Sequence, residues 1–74
     1  MRAFVHKIDE KTGQDILGTS DAWVTPEYKN LDTLTRYFLA KRKPGRYHVE
    51  AYRNFDNRYG KPDYDYIYTR EAAK

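Results

Sequence analysis

The sequence contains no cysteine, one serine and two histidines. Without cysteine there is no disulfide framework, no thiolate nucleophile and no cysteine-based zinc or iron–sulfur site, and the expected compartment is a reducing cytosol. His6 and His48 lie far apart in sequence, so they share a metal site only if adjacent strands bring them together. We therefore expect no catalytic residue, no metal site and no cofactor, and we do not expect an enzyme.

Glycine, proline and long apolar runs are also scarce. The four glycines stand alone, so the chain has neither a phosphate-binding loop nor a dinucleotide fingerprint. No stretch approaches the roughly 20 apolar residues of a membrane-spanning helix. The first residues also lack the charged segment followed by an apolar segment that is typical of a signal peptide. We expect a cytoplasmic protein that does not enter a membrane.

Aromatic side chains, by contrast, are abundant. Eight tyrosines, three phenylalanines and one tryptophan make up 16% of the 74 residues. Each ring buries on the order of 150–250 Å², so a core can form although the mean hydropathy is −1.05. We expect a single domain over residues 1–74, with a frayed C-terminal tail at residues 70–74, where no large apolar side chain remains.

Alternating apolar and polar residues predict up to four strands. The first covers residues 3–8, and a turn at Gly13 leads to a weaker second strand at residues 14–17, a segment that could also be irregular. Residues 46–53 and 64–69 alternate more clearly, and a long loop at residues 54–63 joins them. This loop resembles a calcium loop only faintly, because oxygen-bearing residues fail at the alternating positions.

One helix is predicted over residues 31–42, where Leu31, Leu34 and Phe38 recur at spacings of three and four before a Pro-Gly stop. The helix has several possible starts. Residues 25–27 have the pattern of a capping threonine, a proline at the first helical position and an acid in the first turn, but Asn30 or Asp32 could cap the helix instead. Residues 19–21 could likewise cap a short turn. The predicted fold class is α+β: a small antiparallel sheet of three to four strands with one main helix packed on one face.

Positive charge is concentrated in the middle of the chain. Residues 36–61 carry a net charge of +6, whereas residues 1–35 carry −2 and residues 62–74 carry −1. Cations interleaved with aromatic rings suit either a phosphate backbone with stacked bases or an acidic protein surface, although lysines at a helix end can also simply complement its dipole. The candidate nucleic-acid-binding residues are Arg36, Lys41, Arg42, Lys43, Arg46, Arg58 and Lys61.

The aromatic residues leave two questions of orientation open. Tyr64, Tyr66 and Tyr68 share one face of the last predicted strand, opposite Ile67. These rings either form an exposed stacking platform or fill the core, and we expect at least one in the core because so small a chain needs ring area to fold. Trp23 is either a core anchor, which we favour, or an exposed interface residue.

Two segments carry a resemblance to a known group of proteins. They are TRYFLAKRKPGRY at residues 35–47 and YDYIY at residues 64–68. In these segments, and in size and character over its whole length, the chain resembles the small RNA-polymerase-binding transcription regulators of lytic Xanthomonas bacteriophages. The resemblance implies a protein of the host bacterial cytoplasm that binds bacterial RNA polymerase, inhibits initiation by interfering with sigma factor and promotes antitermination. It transfers no functional residue.

Two functional hypotheses follow from the sequence. The first is a monomeric protein-interaction regulator of bacterial RNA polymerase, and the second is a small basic module that binds DNA or RNA directly. For the first hypothesis, exposed arginines and aromatics are the favoured interface anchors. The edge of the first strand around Phe4 and Val5 is a possible pairing site, although we favour a core position for these two residues. The candidate partner-binding residues are Phe4, Val5, Arg46, His48, Tyr52 and Arg53.

Overall fold

The computed structural model describes residues 1–15, 21–57 and 59–72. These residues form an antiparallel sheet and one helix, which confirms the predicted α+β class. The elements in chain order are β1 (Arg2–Lys7), β2 (Ala22–Val24), α1 (Leu31–Tyr37), a 3₁₀ helix (Leu39–Lys41), β3 (Gly45–Tyr52), a second 3₁₀ helix (Phe55–Asn57) and β4 (Tyr64–Arg70).

The sheet has the strand order β2-β1-β3-β4. All three neighbouring pairs are antiparallel, and their register places Val5 opposite both Trp23 and Val49. β1 is therefore a central strand, with a hydrogen-bonded neighbour on each side. The free edges of the sheet belong to the short β2 and to β4.

The core lies between α1 and one face of the sheet. Val5 and Val49 contribute from the central strands, and Leu34 and Leu39 close over them from the helical segment; all four are fully buried. The rings of Tyr64, Tyr66 and Tyr68 are half-buried against this cluster, while Ile67 on the opposite face is 56% exposed. β4 thus places its three tyrosine rings on the core side of the sheet, as expected for a chain with few other large apolar residues.

The helix begins where Asn30 caps it, one of the predicted alternatives. The Asn30 side-chain oxygen accepts a hydrogen bond from the Thr33 backbone N–H at 2.9 Å. The predicted end at residue 42 is wrong for an α-helix, because α-helical geometry stops at Tyr37 and the chain tightens into a 3₁₀ turn through Lys41. This tighter turn buries Leu39, which completes the apolar stripe.

The N-terminal half differs most from the sequence-based expectation. Of the predicted strand at residues 14–17, the structure describes residues 14 and 15, where a single bridge joins Ile8 and Asp15; residues 16–20 lie outside the described residues. The second strand of the sheet is Ala22–Val24, so Trp23 belongs to a strand and not to a capped turn. The turn that leads to the bridge uses Gly13 at φ 72°, as predicted.

Residues 25–27 also do not start a helix. The Thr25 hydroxyl is fully buried, accepts a hydrogen bond from the Ala3 backbone N–H at 3.0 Å and donates one to the Pro26 carbonyl at 3.0 Å. Thr25 therefore ties the end of β2 to β1. At the other end of the chain, β4 extends through Arg70, whose Nε donates to the Ala40 carbonyl at 2.9 Å, so the predicted tail boundary is one residue early.

Among the described residues, no helix has the length and apolar character needed to cross a membrane.

Candidate interaction surface

The edge of the first strand is not available for pairing with a partner. Val5 is fully buried in the core, and β1 is bonded to β2 and β3 on its two sides. The possible pairing site at Phe4 and Val5 is therefore ruled out, and Val5 occupies the core position that we favoured, while Phe4 is half-buried. The order of strands along the sheet is set by contacts that are distant in sequence, and β1 becomes central because β3 returns beside it.

Tyr52 is likewise an internal residue and not an exposed anchor. It is only 8% exposed, and its ring lies 6.1 Å from Phe4 and 6.0 Å from Phe55, edge-on to both. Arg2 covers this cluster, with its guanidinium carbon 4.8 Å from the centre of the Phe55 ring. The aromatic group seals one end of the sheet face opposite α1.

Arg46 and Arg53 are exposed, as an interface role requires. Arg53 is at the end of β3, where its backbone N–H donates to Asp63 at 2.7 Å and its guanidinium donates to the Tyr64 hydroxyl at 3.2 Å. Arg46 stands at the opposite end of the same strand. The two arginines are separated by most of the length of β3 and do not form one surface.

His48 is held between two carboxylates. Its Nδ1 lies 2.8 Å from Asp15 and its Nε2 lies 2.5 Å from Asp65. Burial lowers the pKa of His48, but the hydrogen bonds to the two aspartates and their negative charge outweigh that effect, so the pKa lies above its ordinary value. In its charged form the ring donates to both aspartates and links the turn after β1 to β4.

His6 and His48 are directly opposite each other on β1 and β3. The Nδ1 atom of His6 is buried and has no hydrogen-bond partner within the described part of the chain. Across residues 1–15, 21–57 and 59–72, no group of three or more histidine, cysteine or acidic side chains is arranged to hold a metal ion. The two histidines are neighbours on the sheet, and it is the aspartates that engage His48.

The predicted nucleic-acid-binding residues do not form one continuous surface. Lys41 and Lys43 lie just before β3. Lys61 belongs to the loop after the other end of β3, about 20 Å away along the strand. Arg36 is on the exposed side of α1, where Asp32 pairs with it at 3.6 Å. Arg58 lies outside the described residues. The basic middle of the sequence is therefore divided by the β3–β4 hairpin.

A cleft opens at the end of the sheet where the 3₁₀ helix leads into β3. Its volume is about 280 Å³. Four cations and one carboxylate face it, together with two aromatic rings. The lining residues are Lys7, Asp21, Trp23, Lys41, Arg42, Lys43 and Tyr47. We call this feature the cationic cleft.

Arg42 is held in place by two rings of the cleft region. Its guanidinium carbon lies 4.4 Å from the centre of the Phe38 ring and 5.4 Å from that of Trp23. Its Nε also donates to the Phe38 carbonyl at 3.3 Å. A guanidinium positioned over aromatic faces in this way keeps its charge and loses mobility, which favours recognition of planar anions.

Tyr47 forms the floor of the cationic cleft and fixes the backbone at its rim. The buried Tyr47 hydroxyl donates to the Lys43 carbonyl at 2.5 Å, and its ring lies 6.1 Å from Trp23. Burial raises the pKa of Tyr47 despite the opposing charge of Arg42, so the hydroxyl remains a donor at neutral pH. Gly45, at φ 150°, begins β3 in a backbone conformation that residues with a side chain rarely adopt.

The cations of the cleft are not neutralised by the protein itself. In the part of the chain that the structure describes, none of Lys7, Lys41, Arg42 and Lys43 forms an ion pair with a carboxylate. Other charges do find partners: the N-terminal amine pairs with Glu27 at 2.7 Å, and His48 pairs with two aspartates. Uncompensated like charges around one cleft are an anion-binding arrangement.

Sequence reasoning found only part of this cleft. Lys41, Arg42 and Lys43 were evident as a basic run, whereas Lys7 and Asp21 gave no signal because they come from β1 and from the residue before β2. Trp23 packs against the core cluster, as we favoured, and its half-buried ring also lines the cleft. Only the strand register brings these residues together.

Comparison of the chain with protein-family models, with curated proteins and with solved structures finds no match.

Proposed function

We propose that this chain is a small regulator that binds bacterial RNA polymerase, inhibits initiation by interfering with sigma factor and promotes antitermination. The observation that carries the proposal is the cationic cleft, in which three lysines that form no ion pair within the described residues surround an arginine held over two aromatic rings. Tryptophan, tyrosine and arginine are the residue types that dominate the energetics of protein–protein interfaces. A surface with this composition suits a protein partner.

The choice of RNA polymerase is supported by the resemblance to small phage regulators. The segment 35–47, on which that resemblance rests, supplies Lys41, Arg42, Lys43 and Tyr47 to the cationic cleft. A chain of 74 residues can act without chemistry of its own, by occupying a surface that a competing factor needs. Sigma factor is such a competitor during initiation, and a regulator that stays bound during elongation is placed to oppose termination.

Direct binding of nucleic acid is the weaker hypothesis. A nucleic-acid site tracks the phosphate backbone with cations spread along a groove. Here the described basic residues of the sequence segment 36–61 are divided between α1 and the two ends of β3, and Arg36 on α1 already has Asp32 beside it. The cations at the cationic cleft form a compact cluster.

The test combines retention with transcription. Tagged chain is incubated with RNA polymerase from a Xanthomonas host after nuclease treatment, at low and at moderate salt, and its effect on promoter-dependent initiation and on terminator read-through is then measured. We expect polymerase to be retained in every condition, initiation by the holoenzyme to fall, and read-through to rise. Retention that disappears on nuclease treatment would show that the chain binds phosphate and would refute the proposal.

A matched pair of variants assigns the effect to the cleft. Lys41→Gln/Lys43→Gln removes two charges from the cleft, and Lys11→Gln/Lys29→Gln removes the same charge from exposed positions outside it. The Tyr47 hydroxyl bonds the backbone carbonyl of residue 43, so the cleft substitution keeps that contact. We expect only the cleft variant to lose inhibition of initiation.

A further inference from the structure

We infer that the cationic cleft binds a short acidic peptide segment of the partner protein, whose carboxylates replace the internal ion pairs that the cleft lacks. This inference rests on the proposed function, because it names the chemistry of the partner surface that the same site recognises. It also makes a narrower claim than the proposed function, since the ligand class can be tested with a synthetic peptide and without polymerase.

The charge balance of the cleft selects an anion. Four cations and one carboxylate, Asp21, line it, and within the described residues none of the four cations is paired. Side chains of like charge that share a cleft repel one another, and an incoming carboxylate relieves that repulsion while forming charge-assisted hydrogen bonds.

Arg42 gives the site its preference for carboxylates. Contact with Phe38 and Trp23 restrains the guanidinium, and its Nε bonds to the Phe38 carbonyl. No carboxylate among the described residues pairs with its terminal nitrogens. A guanidinium that is already restrained loses little freedom when it forms two parallel hydrogen bonds to a carboxylate.

The aromatic residues disfavour a nucleic acid at the same place. Single-stranded nucleic acid binds through bases that stack on free ring faces. Arg42 lies over the Trp23 ring, and the centre of the tilted Tyr47 ring lies 6.1 Å from the centre of the Trp23 ring. The Trp23 ring therefore already has contacts within the fold. A volume of about 280 Å³ accommodates one or two acidic side chains.

Trp23 provides a direct readout of the site. It is the only tryptophan in the chain, and it lines the cleft, so its emission reports on the cleft and on no other surface. The probe is a synthetic pentapeptide of four aspartate and glutamate residues and one leucine. Its control is the same peptide with asparagine and glutamine in place of the acids, and a third arm uses a single-stranded oligonucleotide.

We expect the acidic peptide to change Trp23 emission saturably, and we expect the amide control to produce no change. Lys41→Gln/Lys43→Gln should weaken peptide binding about fivefold, from roughly 0.5 kcal/mol for each exposed charge pair. Lys11→Gln/Lys29→Gln, with the same net charge, should bind as the wild type does. Circular dichroism of both variants checks that the fold is intact.

Three results would overturn the inference: no saturable response to the acidic peptide, an equal response to the amide control, or tighter binding of the oligonucleotide than of the peptide. Parallel retention of RNA polymerase by the wild-type chain separates this inference from the proposed function. If polymerase is retained but the peptide does not bind, the acidic-ligand inference fails alone. If the peptide binds but polymerase is not retained, the proposed function fails and the carboxylate site stands.

Discussion

Two polar residues connect the strands of this small protein through contacts that hydropathy does not predict. His48 lies between Asp15 and Asp65, and Thr25 satisfies the backbone N–H of Ala3 from a fully buried position. Both contacts join segments that are distant in sequence. In a chain with so few large aliphatic residues, single polar contacts of this kind are a substantial fraction of the net stability.

The stability of the protein should depend on pH through His48. Folding raises the pKa of His48, because its bonds to Asp15 and Asp65 outweigh the effect of burial. The folded state therefore holds the proton more tightly than the unfolded chain. The resulting stabilisation is complete below the unfolded-state pKa of about 6.5 and is lost as the pH rises through the folded-state pKa.

Urea unfolding at a series of pH values measures this dependence. The wild type should lose unfolding free energy as the pH rises from mildly acidic to mildly basic. His48→Gln should remove that slope, and Asp65→Asn, which keeps one carboxylate beside the ring, should reduce it. An unchanged slope in His48→Gln would show that another group is responsible.

Thr25 offers a second prediction at the level of a single side chain. Thr25→Val keeps the shape of the side chain but leaves the buried Ala3 N–H without its acceptor, so unfolding free energy should fall by about 1–3 kcal/mol. Thr25→Ser keeps the hydroxyl and should cost less. Chemical denaturation measures both, and a valine variant as stable as the wild type would contradict the assigned role of the hydroxyl.

At the scale of elements, the sequence predicts what local periodicity controls. The alternation in β3 and β4 and the stripe of Leu31, Leu34 and Phe38 lead to the right elements. The same patterns do not predict the change from α to 3₁₀ geometry after Tyr37. This change depends on the packing of Leu39 in the core, which is a tertiary contact. Three residues are too few for a periodic signal, so β2 was not predictable.

Packing of the helical segment on the sheet should dominate the stability of the fold. Leu39→Ala removes a fully buried side chain from the helix–sheet interface and should cost about 2–5 kcal/mol. Ile67→Ala, at a position that is 56% exposed on the other face, should cost within about 0.5 kcal/mol. Thermal and urea unfolding measure the loss of unfolding free energy in the two variants.

Because a loss of 5 kcal/mol approaches the whole stability expected for a domain of about this size, Leu39→Ala could leave no folded state to measure. Leu39→Met conserves volume and should cost less than about 1.5 kcal/mol, which keeps the comparison measurable. A Leu39→Ala variant that loses no more than about 0.5 kcal/mol of unfolding free energy, the loss expected of Ile67→Ala, would mean that the helix–sheet interface contributes little.

At the scale of the whole molecule, the fold redistributes charge that the sequence presents as one block. The basic segment 36–61 is divided between the two ends of β3, and one of these ends gains Lys7 and Trp23 from the other strands to form the cationic cleft. The basic run was predictable from composition. The cleft was not, because its lining depends on the strand order β2-β1-β3-β4, which is set by tertiary contacts.

We propose that the chain binds bacterial RNA polymerase through the cationic cleft. The most direct test is calorimetric titration of nuclease-treated core RNA polymerase with the wild-type chain, with Lys41→Gln/Lys43→Gln and with the charge-matched Lys11→Gln/Lys29→Gln. We predict saturable binding of the wild type, binding weakened about fivefold or more in the cleft variant, and no change in the matched control. Equal affinities for the two variants, or no binding by the wild type, would contradict the account.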